Sequence, residues 1–150
     1  MIVLVCGGRA YFDRARVFEV LDRIHADEPI TRLVDGAAPG ADSLGHRWAV
    51  ERRVPTSRYR AAWTRYGLAA GGIRNRRMYL ASKPDLVVAF PGGSGTADMV
   101  KVARAGGTRI VRVDAPEPIR AAVEVRQLTL TSTDAERARP RAERTRNRRR

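Results

Sequence analysis

The chain has 150 residues, 43% of them hydrophobic, and a formal net charge of +13. That length suits one domain with a core of its own. No apolar run approaches the roughly 20 residues that cross a bilayer, and the N-terminus enters an apolar strand at Ile2 with no leader-like region before it, so a cytoplasmic location is expected.

The charge is unevenly placed. From Asp134 to Arg150 there are eight arginines against three acids, which leaves +8 on the remaining residues. That segment lacks aromatic residues and apolar periodicity, so it reads as a disordered Arg-rich tail over 133–150. Such a tail contacts polyanions weakly and in a salt-dependent way. Arginine outnumbers lysine 27 to 2, so codon bias competes with function as the source of the excess. The single cysteine, Cys6, excludes an internal disulfide. It reads as a small core residue; the alternative is a reactive thiol whose pKa a following helix end would lower.

Ile2–Cys6 is a continuous apolar strand that Gly7-Gly8-Arg9 turns out of. A helix is expected from about Asp13 to Ala26, with Val17, Phe18, Leu21 and Ile24 at helical spacing. Arg32–Val34 is a short second strand, followed by the loop Asp35-Gly-Ala-Ala-Pro-Gly-Ala-Asp42. The next helix takes Asp42 or Ser43 as its cap, buries Leu44 and Trp48, and stops before Pro55. Thr56–Arg60 is a weaker third strand. Trp63 to Gly72 reads as loop, then Ile73–Ala81 as a helix ending before Pro84.

Leu86–Phe90 is the fourth strand, and it opens into Pro91-Gly-Gly-Ser-Gly-Thr96. A buried strand, a glycine-rich turn and a helix form a phosphate cradle in outline. The glycines let backbone N–H groups approach an anion, and the helix N-terminus supplies unpaired donors and a positive dipole end. Thr96 is placed to cap that helix. Ala97, Val100 and Ala103 form its apolar face, and Gly106-Gly107 closes it. A plain β-to-α loop is the competing reading. Arg109–Val113 is the fifth strand. Residues 119–132 then form a C-terminal extension or an edge strand, with Val123, Val125, Leu128 and Leu130 alternating.

Strands alternating with helices, two of them almost fully apolar, predict an α/β fold. It is a Rossmann-like three-layer domain over 1–118, with a central parallel sheet of about five strands. In the order 3-2-1-4-5 the winding reverses between the first and fourth strands, where ligands bind beyond the strands' carboxyl ends. The three loops Gly7–Arg9, Asp35–Asp42 and Pro91–Thr96 then converge on one crevice.

Candidate ligand-binding residues follow from that convergence: Gly7, Gly8, Arg9, Gly36, Gly40, Asp42, Arg74, Asn75, Pro91, Gly92, Gly93, Ser94, Gly95 and Thr96. Arg9 either reaches phosphate or is an ordinary surface arginine. Arg74 and Asn75 follow Gly71-Gly72 and face the crevice, where an arginine fork suits a phosphate. Arg76 and Arg77 read as a solvated basic face. Asp42 and Asp98 sit in first helical turns, where dipole complementarity is the commoner explanation of an acid. Asp35 is placed to accept a ribose hydroxyl, although no glycine fingerprint precedes it. Trp63 and Tyr66 either stack on a base or pack over the sheet edge. His25 and His46 have no partners at ligand spacing, so neither a metal nor a resident cofactor is expected.

In series, these motifs resemble the SLOG superfamily, named for the Smf/DprA DNA-processing proteins and the LOG cytokinin-activating hydrolases. The chain looks like its small YspA-type, YpsA-related branch. The resemblance rests on Cys6-Gly-Gly-Arg9, Gly40-Ala-Asp42, Ala62-Trp63 with Tyr66-Gly67, Ala70-Gly-Gly-Ile-Arg-Asn75, Lys83–Gly93 and Gly95–Val100, and covers roughly residues 1–113. It implies a domain that binds a nucleotide or nucleotide-derived ligand, and relatives that form homo-oligomers.

LOG-like enzymes cleave the N-glycosidic bond of a nucleoside monophosphate, using an arginine in R-K-x-x-M and a glutamate in P-G-G-x-G-T-x-x-E. Arg74–Met78 fits the first spacing with Asn75 in place of lysine. Met99 stands at the glutamate position, and methionine cannot handle a proton. Asp98 is about 100° away around the helix and is expected to reach the site only if the loop shifts. The favoured reading is therefore ligand binding without turnover. One alternative is a phosphoribohydrolase with Arg74 and Asp98 as catalytic residues, or Asp42 as the acid. The other is single-stranded nucleic-acid binding.

Overall fold

A computed structural model of the protein describes residues 1–114. The expected extension (119–132) and Arg-rich tail (133–150) lie outside the described residues, as do the last residues of the expected 1–118 domain.

Five strands, β1 (Ile2–Cys6), β2 (Arg32–Asp35), β3 (Thr56–Arg58), β4 (Leu86–Ala89) and β5 (Arg109–Arg112), form one sheet. Its order is β3-β2-β1-β4-β5. All four pairings are parallel, and the register sets Cys6 beside Ala89 and Leu4 beside Val34. The α/β Rossmann-like architecture expected from the sequence is the one observed, and winding reverses between β1 and β4.

The central strands are buried on both faces because each is covered by its own helix pair. On one side α1 (Arg14–Asp27) and α2 (Ala41–Glu51) press Val17, Leu21 and Trp48 onto Val3, Val5, Leu33 and Val88. On the other, α4 (Ala70–Ser82) and α5 (Ser94–Ala105) press Met78, Met99, Val100 and Ala103 onto Leu4, Val34 and Val87. The alternation of Val3 and Val5 with Leu4 between the two cores is the period-two geometry of a strand.

Several local expectations are corrected. Trp63–Gly72 is not loop: α3 (Trp63–Tyr66) and a 3-10 turn (Gly67–Ala69) lead directly into α4, which begins at Ala70. Gly71 and Gly72 are therefore helical, at about 1 kcal/mol each relative to alanine. A Cβ on Gly71 would lie 3.4 Å from the edge of the Trp63 ring, an ordinary contact. Neither Asp42 nor Ser43 caps α2, whose cap residue is Gly40. Thr96 does not cap α5, which starts two residues earlier with Gly93 as its cap. Ala97 is exposed, and its expected place in the core is taken by Met99.

Candidate functional site

Three loops leave the carboxyl ends of β1, β2 and β4 and are bound to one another by their backbones. Gly8 N–H donates to the Pro91 carbonyl at 2.8 Å, and Ala41 N–H donates to the Gly8 carbonyl at 3.2 Å. These approaches need glycine. A Cβ on Gly92 would lie 2.6 Å from the Gly8 nitrogen, and Gly40 has a φ of 78° and no room for a Cβ, which would collide with the Gly8 carbonyl oxygen.

Beyond this junction opens a cavity of about 650 Å³, within the range of small-molecule sites. Of the candidate ligand-binding residues, Gly7, Gly8, Arg9, Asp42, Arg74, Asn75, Gly93, Ser94, Gly95 and Thr96 line it, and so does Asp98. Gly36, Gly40, Pro91 and Gly92 do not; they form the packed junction beneath. Gly93 and Gly95 have open space where a side chain would stand. The first bond of α5 is Ala97 N–H to the Gly93 carbonyl at 3.1 Å. The N–H groups of Ser94, Gly95 and Thr96 therefore precede the helical ladder, on the wall of the cavity.

The opposite wall comes from α4. Arg74 donates through Nη1 to the Gly36 carbonyl, a short contact, and through Nε to Asn75 Oδ1 at 3.0 Å. Burial pulls its pKa below the ordinary arginine value, opposed by the charge of Asp42. Asn75, 3% exposed, donates through Nδ2 to Asp98 Oδ2 at 2.9 Å and to the Gly95 carbonyl at 3.2 Å. Asp98 thus faces the cavity with no loop shift, whereas Met99 is fully buried in the core shared by α4 and α5. The expectation that Asp98 points away is corrected: on this helix it is the residue before Met99 that faces the crevice.

Asp42 is 5% exposed. Its Oδ2 accepts N–H bonds from Gly36 at 2.9 Å and Ala38 at 3.4 Å, so it braces the loop after β2 rather than its own helix. Burial, then the charge of Asp35, pushes its carboxyl up to about 6. Asp35 is fully buried and is not presented to a ligand. Its oxygens take Arg58 Nε at 3.0 and 3.2 Å, and Oδ1 also takes Ala37 N–H at 2.7 Å. Cys6 belongs to the core and also touches the cavity, and burial pushes its thiol up to about 12, which disfavours the thiolate.

Trp63 lines the cavity under the Arg9 guanidinium, 5.4 Å from its ring centroid; Tyr66 does not line it. Arg76 is exposed, but it sits at the rim with Nη2 3.9 Å from Asp98 Oδ1. Sequence reasoning missed that rim position, because the early start of α4 shifts which residues its first turns present. Among the described residues no cluster of His, Cys, Asp and Glu could hold a metal ion. His25 Nδ1 instead accepts the Ile30 N–H at 2.9 Å, and His46 Nδ1 lies 3.8 Å from Asp35.

Comparison with known proteins places this geometry. A profile of the YspA, cpYpsA-related SLOG family matches residues 1–66. Gene 61 protein of Mycobacterium phage D29 is 34% identical over 117 residues, which span 73% of this chain and 93% of that protein. The chain belongs to the YspA, cpYpsA-related SLOG family. Its fold extends to a more distant SLOG protein, DNA processing protein A (DprA) from Streptococcus pneumoniae, at a TM-score of 0.60 and 17% identity. That match covers 84% of this chain and 56% of the DprA chain, so the SLOG domain described here spans little more than half of it. Among the described residues no helix is long and apolar enough to cross a membrane.

Proposed function

We propose that this SLOG domain binds a nucleotide or nucleotide-derived molecule, holding its phosphate at the N-terminus of α5. One observation carries the reading: the free N–H groups of Ser94–Thr96, under the open faces of Gly93 and Gly95, share a cavity with Arg9 and Arg74. A helix N-terminus attracts an anion; Arg9 adds a guanidinium fork, and Arg74, whose Nε and Nη1 are engaged by Asn75 and the Gly36 carbonyl, adds its charge and Nη2. Trp63 supplies an apolar face for a base, and the inner carboxylates, Asp42 and Asp98, accept hydroxyl donors from a sugar. The test is native mass spectrometry of the purified chain, followed by calorimetry with nucleoside monophosphates and ADP-ribose. Saturable binding weakened by Arg74→Ala supports the reading; no binding by any phosphorylated nucleoside overturns it.

A second reading has its own support, because Asp98 faces the cavity and Asp42 is held with a pKa of about 6. In N-glycosidic hydrolysis water attacks the anomeric carbon, the C–N bond breaks, and the leaving base takes a proton. A carboxyl titrating near 6 is suited to supply that proton, and a second carboxylate to stabilise the cationic sugar. Arg74 would orient the phosphate. Base release followed by chromatography, lost in both Asp98→Asn and Asp42→Asn, supports turnover. Stoichiometric binding without release leaves the domain as a binder.

A further inference from the structure

The rim of the cavity on the α3 side is built unlike the rest of its wall. Ala62 to Ala69 are exposed one after another, and neither α3 nor the 3-10 turn after it buries a side chain. The bonds that shape this stretch are local. The Arg65 and Tyr66 N–H groups donate to the Ala62 carbonyl at 3.0 Å, and the Gly67 N–H donates to the Trp63 carbonyl. Yet two of its apolar side chains stand at the cavity. Trp63 is 47% exposed and Leu68 fully exposed, and both line the opening with Ile73 beside them. Apolar groups left in water at a cavity mouth gain burial from whatever enters the cavity.

The backbone of the rim is permissive. Gly67 sits between α3 and the turn with a φ of 53°, and no atom lies within 4 Å of its Cβ position. Gly71-Gly72 occupies the first turn of α4, where a Cβ on Gly71 would make an ordinary contact with the Trp63 ring, so crowding there does not call for glycine. Few buried contacts and local bonds mark a segment that opens readily, and the glycines within and after it let it move against the rest of α4. Across the mouth lies Arg9, its guanidinium 5.4 Å from the centroid of the Trp63 ring. The ring suited to a base is thus covered by the cation suited to a phosphate.

We propose that residues 63–69 are a lid that selects ligands carrying a nucleobase at the end remote from the phosphate, with Trp63 and Leu68 as the specificity-determining residues. The lid presupposes the nucleotide site proposed above and determines how its base end is chosen. An entering base replaces Arg9 on Trp63, and Leu68 closes over it. The released Arg9 then turns to the phosphate at α5, so base stacking and phosphate capture become one event. A sugar phosphate without a base leaves the ring under Arg9 and Leu68 in water.

Calorimetry and hydrogen exchange on the full chain, with AMP and ribose 5-phosphate as probes, test this. The parent should bind AMP at least ~10-fold more tightly than ribose 5-phosphate. Leu68→Ser, at a fully exposed position, should melt with the parent. It should weaken AMP about fivefold and change ribose 5-phosphate by less than about twofold. Trp63→Ala should weaken AMP at least ~10-fold, while ribose 5-phosphate binds as tightly as before or more so because Arg9 is freed. Saturating AMP should slow exchange of the bonded Tyr66 and Gly67 amides at least ~10-fold, and ribose 5-phosphate should leave them unchanged. The lid is overturned if Leu68→Ser binds AMP like the parent, or if Trp63→Ala weakens both probes equally. It is also overturned if both probes slow the amides alike, or if those amides exchange in the free chain as slowly as that of the buried Met78 in α4. A parent that binds neither probe overturns the nucleotide site itself, and the lid with it.

Discussion

Asn75 holds Asp98 in place: its amide Nδ2 lies 2.9 Å from the carboxylate, while its own Oδ1 accepts Arg74 Nε at 3.0 Å. Three side chains from two helices thus form one chain of donors and acceptors along the cavity wall. Asn75 is 3% exposed, so removing it leaves the part-buried Arg74 Nε and Asp98 carboxylate without their partner. Asn75→Ala should cost about 1–3 kcal/mol of stability, read by urea denaturation. It should also weaken ligand binding more than Arg77→Ala, a change on the same helix outside the cavity. Equal affinities in the two variants would mean that the Arg74–Asn75–Asp98 chain does not organise the site.

Met99 explains why a carboxylate at that position cannot act in this chain. It is fully buried among Leu4, Val87 and Val100. Met99→Glu should therefore unfold the domain or destabilise it by more than about 4 kcal/mol, since an unpaired carboxylate would enter an apolar core. Met99→Leu should cost under about 1.5 kcal/mol. Thermal melts of both variants check this. A well-folded Met99→Glu protein that releases base from nucleoside monophosphates would show that the side chain can reach the cavity after all.

The sheet was legible in the sequence because β1 and β4 are short and almost purely apolar, and because the turns after β1, β2 and β4 carry glycine. Its order, 3-2-1-4-5, came with the Rossmann-like pattern of alternating strands and helices and not from any single residue. The start of α4 was not legible. Gly71-Gly72 argues locally for a loop, and the packing of α4 with α5 through Met78, Met99 and Val100 that overrides it is tertiary. The direction of Asp98 was obscured for a similar reason: one helical residue decides between core and cavity, and Met99 fills the core position. The buried bonding of Asp35 to Arg58 could not be read from either residue's surroundings in the chain.

Asp42 makes stability depend on pH in a definite direction. Its carboxyl is raised from 3.8 to about 6 by burial and the charge of Asp35. The folded state therefore holds a proton that the unfolded state has released between those values, and stability falls as pH rises from about 4 to 6. A carboxyl raised that far changes stability by roughly 3 kcal/mol at most. Asp42→Asn keeps an oxygen for the Gly36 and Ala38 N–H groups and removes the titration. Relative to the parent it should gain stability across that window and run parallel above it, in denaturation at fixed pH steps. An unchanged difference from pH 4 to 7 would mean that Asp42 ionises freely in the fold. For an anionic ligand, affinity in the parent should fall through pH 6 and stay level there in Asp42→Asn.

The glycine junction beneath the cavity predicts a separation of binding from folding. A Cβ at Gly92 would meet the Gly8 nitrogen at 2.6 Å, and forcing the loops from β1 and β4 apart breaks the Gly8–Pro91 bond. Gly93 has no neighbour within 4 Å of its Cβ position and a negative φ of −97°, so alanine fits there without a protein clash. Gly92→Ala should cost about 1–3 kcal/mol of stability. Gly93→Ala should melt within a degree or two of the parent yet bind a phosphorylated ligand at least ~10-fold more weakly, because its methyl group occupies the space an anion needs over the α5 N–H groups. Melting curves and calorimetry on the two variants read both effects. Full affinity in Gly93→Ala would move the phosphate away from α5 and leave the arginines on the other walls as its only holders.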